Sequence, residues 1–418
     1  MSTLRVEGGH RLSGRIEVEG NKNAALPLLA ACLLTTEECT LTNVPVIGDV
    51  DVMARLLVDL GASVEGIGST TLKVRCARVA SDEPDAALVG RLRGSVLLIG
   101  PLLARRGRAR LAAPGGDFPA RRTLSTHLEA LASMGARILP GPGHHLEAPE
   151  GLRASSLYLF EASVTATETA ILAAAAAVGV SEIRHAACEP HVVELCQFLV
   201  QLGVGITGAG TPTIRVEGGA KLRGAGHRLW GDYVDAGSWA VVAGVTGGSL
   251  EVRGARPEDL EVVAAVLKRQ GIACVNDAGA FRVEPSRPIG AGRLTTGLWP
   301  GFPSDLVSLV TVLATQAEGR TLVHDWLYEL RLFALEQLSG MSADLFLCDP
   351  HRIIVTGPSR LRGRPLDTRD LRSGMALIAA ALAADGESLI SPLETVERGY
   401  GHLVERLLQL GAKVEKLP

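Results

Sequence analysis

The feature of this 418-residue chain that most restricts its fold is a unit repeated six times, in which a helical seam of apolar residues turns on one small residue and enters a strand. Leu57-Val58-Asp59-Leu60-Gly61-Ala62-Ser63-Val64 is the first copy. The others turn at Gly135, Gly203, Gly271, Ser342 and Gly411, at intervals of 74, 68, 68, 71 and 69 residues. Glycine there fits the left-handed residue that ends many helices, and a period near 70 marks supersecondary units that must stack to bury their apolar faces. The fifth copy departs by carrying serine. The halves also match, with Val6-Glu7-Gly8-Gly9 answered 210 residues later by Val216-Glu217-Gly218-Gly219. Alternation in Arg15-Ile16-Glu17-Val18 reads as strand, whereas Asp51 to Leu60 and Glu261 to Gln270 carry helical spacing. These patterns predict an α/β (or α+β) chain of two domains with three units each, its ligand held in the cleft between the halves.

Composition removes several classes of function. A net charge of -3 offers no surface for a polyanion, which excludes nucleic acid as an expected partner. The longest apolar runs, Ala170 to Val180 and Met375 to Ala384, fall short of the roughly 20 residues a membrane span needs, and no charged-then-apolar leader opens the chain. No membrane association and a cytoplasmic location are therefore expected. Seven scattered cysteines without a CxxC pair read as small core residues in a reducing compartment. Ten histidines show no metal-ligand spacing, so no metal is expected. Gly205-Ile206-Thr207-Gly208-Ala209-Gly210 lacks the helix signal that a dinucleotide site requires. His127, on an apolar helix, reads as a satisfied core histidine, and Trp230, Trp239, Trp299 and Trp326 as core or domain-interface packing.

Two segments gather chemistry. The loop Pro114-Gly115-Gly116-Asp117-Phe118-Pro119-Ala120-Arg121-Arg122 places an acid beside paired glycines, which admit close backbone approach, and paired arginines, which grip phosphate or carboxylate. Lys22 and Asn23 precede the apolar run Ala24 to Cys32, near a helix N-terminus that favours an anion. The chain uses six lysines against 36 arginines, so a lysine there suggests a compact, titratable ammonium.

Together with Gly20-Asn21-Lys22-Asn23-Ala24-Ala25-Leu26-Pro27, the Arg93 segment through Arg105, Phe302-Pro303-Ser304-Asp305, Tyr328-Glu329-Leu330-Arg331, Asp370-Leu371-Arg372 and Glu397-Arg398-Gly399-Tyr400, these segments resemble the enolpyruvyl transferase family, and its nucleotide-sugar branch in particular. The resemblance runs nearly end to end. It implies two inside-out α/β domains, each of three βαβαββ repeats, joined by a double crossover around an interdomain active site. The first domain would be residues 22–230, with a mobile catalytic loop at about 112–122, and the second 1–21 with 231–418. It further implies transfer of the enolpyruvyl group of phosphoenolpyruvate to an acceptor hydroxyl, with phosphate released by addition and elimination and without a cofactor. No oligomeric state is implied.

Carried over residue by residue, Lys22, Arg122 and Arg398 would hold phosphate, Arg331 and Arg372 the carboxylate, and Arg93 would help close the loop. Asp305 would accept the hydroxyl proton. Asp117 takes the place of the general acid, where most members have cysteine and some aspartate. Since fosfomycin traps a thiolate, the aspartate implies resistance to that epoxide. Acceptor contacts would come from Asn23, Thr123, Ser125, Ser163, Val164, Thr165, Glu189, Asp305 and Leu327. Departures from the family pattern concentrate there. Thr123-Leu124-Ser125 replaces a Pro-x-Asp segment at the uridine, Ser163-Val164-Thr165 replaces Ser-Val-Gly, Glu161 stands for a lysine, Glu189-Pro190-His191 replaces a Glu-Pro-acid motif, and Thr395 stands for a histidine. The acceptor thus stays open between the 3-hydroxyl of UDP-N-acetylglucosamine and another nucleotide such as UMP. Shikimate 3-phosphate fits less well. A non-catalytic phosphometabolite-binding protein is the alternative of another class, and would fit a chain lacking Lys22, Asp305 or several arginines. All are present.

Overall fold

The computed structural model describes residues 2–115, 123–277, 279–329 and 331–418. Asp117 and Arg122 lie outside the described residues. The chain divides into two units, Gly20–Trp230 and Met1–Glu19 with Gly231–Pro418, and each has its own core, from Ala25 to Leu229 in the first and from Leu4 to Ala412 in the second.

Within a unit the repeat runs strand, buried helix, strand, amphipathic helix, strand, strand. Ser156–Tyr158, the helix Val164–Ala176 and the parallel strand Gly179–Arg184 begin one copy, which the helix Pro190–Leu202 and the antiparallel strands Gly205–Thr207 and Thr213–Gly218 complete. Among the described residues there are six sheets, five of four strands and one of three. The short sheet belongs to the second repeat, where a lone backbone bond from Arg110 N–H to the Asp82 carbonyl, 2.8 Å, stands in for the leading strand.

The buried helices are apolar all round, as an element surrounded by protein must be. In the second unit they are Tyr233–Thr246, Val307–Gln316 and Leu371–Ala383, which pack on one another pairwise. In the first they are Lys22–Ala31, Val164–Ala176 and the 3-10 turn Arg93–Leu98 continued by Ile99–Arg106. Small residues allow this density. A β-carbon on Gly237 would come within 2.7 Å of the Leu306 side chain, so Val307–Gln316 and its preceding turn can approach Tyr233–Thr246 closely. Of the two apolar runs singled out in the sequence, Ala170 to Val180 spans the end of one inner helix and the start of the strand Gly179–Arg184, while Met375 to Ala384 lies in another inner helix and its cap, and among the described residues no helix is long and apolar enough to cross a membrane.

The six turns at the period all take the left-handed conformation, with φ of 97° at Gly61, 96° at Gly135, 111° at Gly203, 76° at Gly271, 75° at Ser342 and 86° at Gly411. Two connections are exchanged between the units. Strand Ser13–Glu17 leads in sequence to the Lys22 helix, yet it pairs in parallel with Ser249–Arg253 of its own unit. Reciprocally, Gly226–Arg228 leads to the Tyr233 helix but pairs with Cys39–Thr42. Each unit closes on itself beside the crossing, with Asn21 N–H bonded to the Trp230 carbonyl at 2.8 Å in the first and Asp232 N–H to the Glu19 carbonyl at 2.9 Å in the second. Thr3–Glu7 completes the last repeat, lying between Glu387–Ser391 and Lys413–Leu417.

Candidate active site

Three of the buried helices, Val164–Ala176, Val307–Gln316 and Leu371–Ala383, follow a strand of a parallel pair, and at the N-terminus of every buried helix backbone N–H groups favour anions. The residues singled out in the sequence collect at these N-termini. In Gly20–Trp230, Asn21 caps the first helix, its side-chain oxygen accepting from Asn23 N at 2.7 Å and Ala24 N at 3.3 Å. Lys22 therefore starts the helix, and its Nζ lies 2.6 Å from Asp49 Oδ2, with both side chains largely buried. Arg93 opens its 3-10 turn and reaches the Thr123 carbonyl at 3.5 Å, and Thr123 Oγ1 is 2.8 Å from Ser125 Oγ. Ser163 caps the helix that starts at Val164, accepting from Ala166 N at 3.4 Å.

Thr165, in the first turn of that helix, is bonded to His127, with Nε2 2.8 Å from Thr165 Oγ1. His127 is buried as expected but incompletely satisfied, because Nδ1 has no hydrogen-bond partner among the described residues. Burial first, then the charges of Arg93 and His144, push its pKa down to about 4, so the ring is neutral near pH 7. Glu168, one turn on, is pushed well above the usual carboxyl range by burial and then by Glu189, which stands at the N-cap of Pro190–Leu202. At the end of the described stretch 2–115, Gly115 N–H bonds to the Val89 carbonyl at 3.0 Å. A β-carbon at Gly115 would fall 1.7 Å from the Gly90 carbonyl oxygen, so this close approach requires glycine.

In the other unit Asp305 sits in the turn Ser304–Leu306, ahead of Val307–Gln316. Its two oxygens are taken by two arginines, Oδ1 by Arg331 Nη1 at 2.9 Å and Oδ2 by Arg372 Nη2 at 3.0 Å. Burial, the largest single influence, acts to depress both guanidinium groups, but Asp305 and the neighbouring acidic groups together outweigh it, so both stay charged. Each arginine is held from behind. Arg331 Nη1 also donates to Ser304 Oγ at 2.9 Å, and Ser304 donates to the fully buried Asp325 at 2.6 Å. Asp325 further accepts from Thr296 Oγ1 at 2.8 Å and from Leu327 N–H at 3.3 Å. Arg372 Nη1 donates to Tyr400 Oη at 3.1 Å, and Tyr400 is 2.8 Å from Ser238 Oγ. Arg398, half-buried, ends the turn Glu394–Glu397 two residues before Tyr400.

The structure thus brings Asp305, Arg331 and Arg372 together directly, and places Arg93, Thr123, Ser125 and the Ser163–Thr165 turn around His127. Sequence reasoning missed Asp49, Ser304, Asp325, Tyr400 and the His127–Thr165 bond. Ser304 and Tyr400 lie inside segments already singled out, whereas Asp49 and Asp325 carry no local signal. Arg105, at the end of one such segment, is structural, donating to the carbonyls of Leu33, Thr35, Cys76 and Ala77. Of the tryptophans, Trp239 is fully buried as expected, but Trp326 is 47% exposed, its indole N–H donating to the Thr296 carbonyl.

The family of EPSP synthase (3-phosphoshikimate 1-carboxyvinyltransferase) matches residues 6–407. The chain is 42% identical to the UDP-N-acetylglucosamine 1-carboxyvinyltransferase of Bradyrhizobium diazoefficiens, covering 99% of this chain and 97% of that protein. It is 41% identical to the enzyme of the same name from Treponema denticola, covering 98% of each. Among solved structures, the enolpyruvyl transferase NikO from Streptomyces tendae superposes with a TM-score of 0.89 at 26% identity, over 100% of this chain and 99% of its own. EPSP synthase from Acinetobacter baumannii shares the fold, with a TM-score of 0.76 at 18% identity over 100% of both chains. With six sheets around buried helices, cationic groups at the helix N-termini and full-length relatives of one activity, the chain belongs to the EPSP synthase family and is an enolpyruvyl transferase.

Proposed function

We propose that this enzyme moves the enolpyruvyl group of phosphoenolpyruvate to the 3-hydroxyl of UDP-N-acetylglucosamine and releases phosphate. The observation that carries the reading is the convergence of Arg331 and Arg372 on one carboxylate, at 2.9 and 3.0 Å. Two guanidinium groups locked by buried hydroxyls form a receptor for a carboxylate, and phosphoenolpyruvate brings one. When the substrate takes that fork, Asp305 is released from it and its lone pairs become available to the acceptor hydroxyl. The hydroxyl oxygen attacks C2 while Asp305 takes its proton and Asp117 protonates C3. Loss of phosphate from C2 and of a proton from C3 then restores the double bond. Lys22, Arg122 and Arg398 offset the phosphate charge, and Arg93 assists loop closure. Asn23, Thr123, Ser125, Ser163, Val164, Thr165, Glu189 and Leu327 contact the acceptor.

The full-length relatives named for UDP-N-acetylglucosamine support that acceptor. A second reading, another nucleotide such as UMP, is favoured by Thr165, whose side chain His127 holds in the acceptor segment where the resemblance implies glycine. Phosphate release from phosphoenolpyruvate with UDP-N-acetylglucosamine, UMP and shikimate 3-phosphate separates the two. Turnover with the nucleotide sugar is expected, and Asp305→Asn should slow it by about 10²–10⁴-fold, the usual contribution of a general base. Phosphoenolpyruvate binding without release of its phosphate in the presence of any acceptor would sink the enzymatic reading.

A further inference from the structure

The hydroxyls inside the buried helices mostly donate to the carbonyl three or four residues back. Thr167 does so to Ser163 at 2.8 Å, Ser238 to Val234 at 2.7 Å and Thr311 to Val307 at 2.7 Å. Thr165 is different, because its Oγ1 is engaged by His127. The direction of that bond follows from the other ring nitrogen. His127 is 2% exposed and Nδ1 has no hydrogen-bond partner among the described residues. A proton on Nδ1 would bury an N–H with no acceptor, and orphaned buried N–H groups are rarer than orphaned acceptor lone pairs. The proton therefore belongs on Nε2, which donates to Thr165 Oγ1. The Thr165 hydroxyl hydrogen is thereby turned away from the ring, in the first turn of a 13-residue helix. Arg93 contributes positive charge felt at His127, and the helix N-terminus adds more. An outward O–H in that field suits an anionic oxygen.

We propose that His127 is a positioning residue that turns the Thr165 hydroxyl outward as a hydrogen-bond donor to a phosphate oxygen of the nucleotide acceptor, so that the pair governs acceptor affinity. The proposal rests on the nucleotide reading above and adds to it a residue and a bond direction. It is tested in the full-length enzyme by steady-state kinetics and by calorimetric binding of UDP-N-acetylglucosamine and UMP. Thr165→Val keeps the shape and removes the donor, while Thr165→Ser keeps the donor. His127→Leu removes the ring N–H, and His127→Gln retains an N–H near the Nε2 position.

Thr165→Val should raise KM and Kd for the nucleotide that the enzyme uses by about tenfold, the size of a lost hydrogen bond to a charged group. Neither kcat nor the KM for phosphoenolpyruvate should move, and Thr165→Ser should behave as the parent. His127→Leu should match Thr165→Val, His127→Gln should recover, and the double variant Thr165→Val with His127→Leu should be no worse than either single one. Unchanged acceptor KM in Thr165→Val, or additive losses in the double variant, would overturn the proposal. Thr165→Val leaves the core histidine in place, so it remains decisive should His127→Leu fail to fold. Failure of the nucleotide reading looks different, since the parent enzyme itself would then bind neither nucleotide.

Discussion

Glu168 presents a carboxyl group at 1% exposure, and among the described residues its Oε1 has no hydrogen-bond partner. Burial, then Glu189, raises its pKa well above the ordinary 4.5. A group raised in this way contributes its full stability below the unfolded value and loses it as pH climbs from about 4.5 towards the folded one. Glutamine imitates the protonated form at every pH. Glu168→Gln should therefore melt higher than the parent at pH 8, with the gap narrowing towards pH 5, as thermal unfolding at the two pH values will reveal. A constant gap would mean that Glu168 does not titrate over that range. At this scale the sequence disclosed the groups that stand in short motifs, including Lys22, Asp305, Arg331 and Arg372. It did not disclose what holds them, since Asp49 lies 27 positions from Lys22, Asp325 21 from Ser304, and Tyr400 28 from Arg372. No spacing rule links residues that meet only after strands pair. His127 shows the same limit, because its core position was readable but its bond to Thr165, 38 residues away, was not.

The helix endings were the most legible elements, since a left-handed cap all but demands glycine and an apolar seam must precede it. Ser342 tests that logic from the other side. It holds φ of 75° like its five glycine counterparts, a conformation that costs an ordinary L-residue about 1–2 kcal/mol. Glycine loses more entropy on folding, which offsets part of the gain. Ser342→Gly is therefore expected to stabilise the protein by about 0.5–1 kcal/mol, readable as a shift of the urea midpoint at constant slope. No shift would show the serine to be compensated by contacts that glycine forfeits. What the pattern could not announce is the reduced second sheet, where pairing is down to Arg110 and Asp82. The period records helix ends, and these persist whether or not a leading strand forms.

At the scale of the whole molecule the exchanged connections make the two units unequal. Gly20–Trp230 is one continuous stretch, but the other unit takes its first 19 residues from across the chain. Those residues bury Leu4, Val6, Leu12, Ile16 and Val18, each at 3% exposure or less. At about 1.5–3 kcal/mol per buried side chain they contribute roughly 8–15 kcal/mol, as much as an entire domain's net stability. Residues 20–230 expressed alone should thus unfold cooperatively, whereas 231–418 should not fold. Because Thr3 pairs with Leu417, a short turn joining Pro418 to Ser2 and ending the permuted chain at Glu19 should rescue the second unit. Circular dichroism melts of the three fragments decide this, and a native-like transition from 231–418 alone would refute it. The place of Thr3–Glu7 between Glu387–Ser391 and Lys413–Leu417 also sets a timetable during synthesis. At 5–20 residues per second the ribosome takes roughly 20 to 80 s to deliver that strand's partners. Until then Leu4 and Val6, which the finished sheet buries, wait on an unpaired strand, and chaperones have that interval in which to hold it.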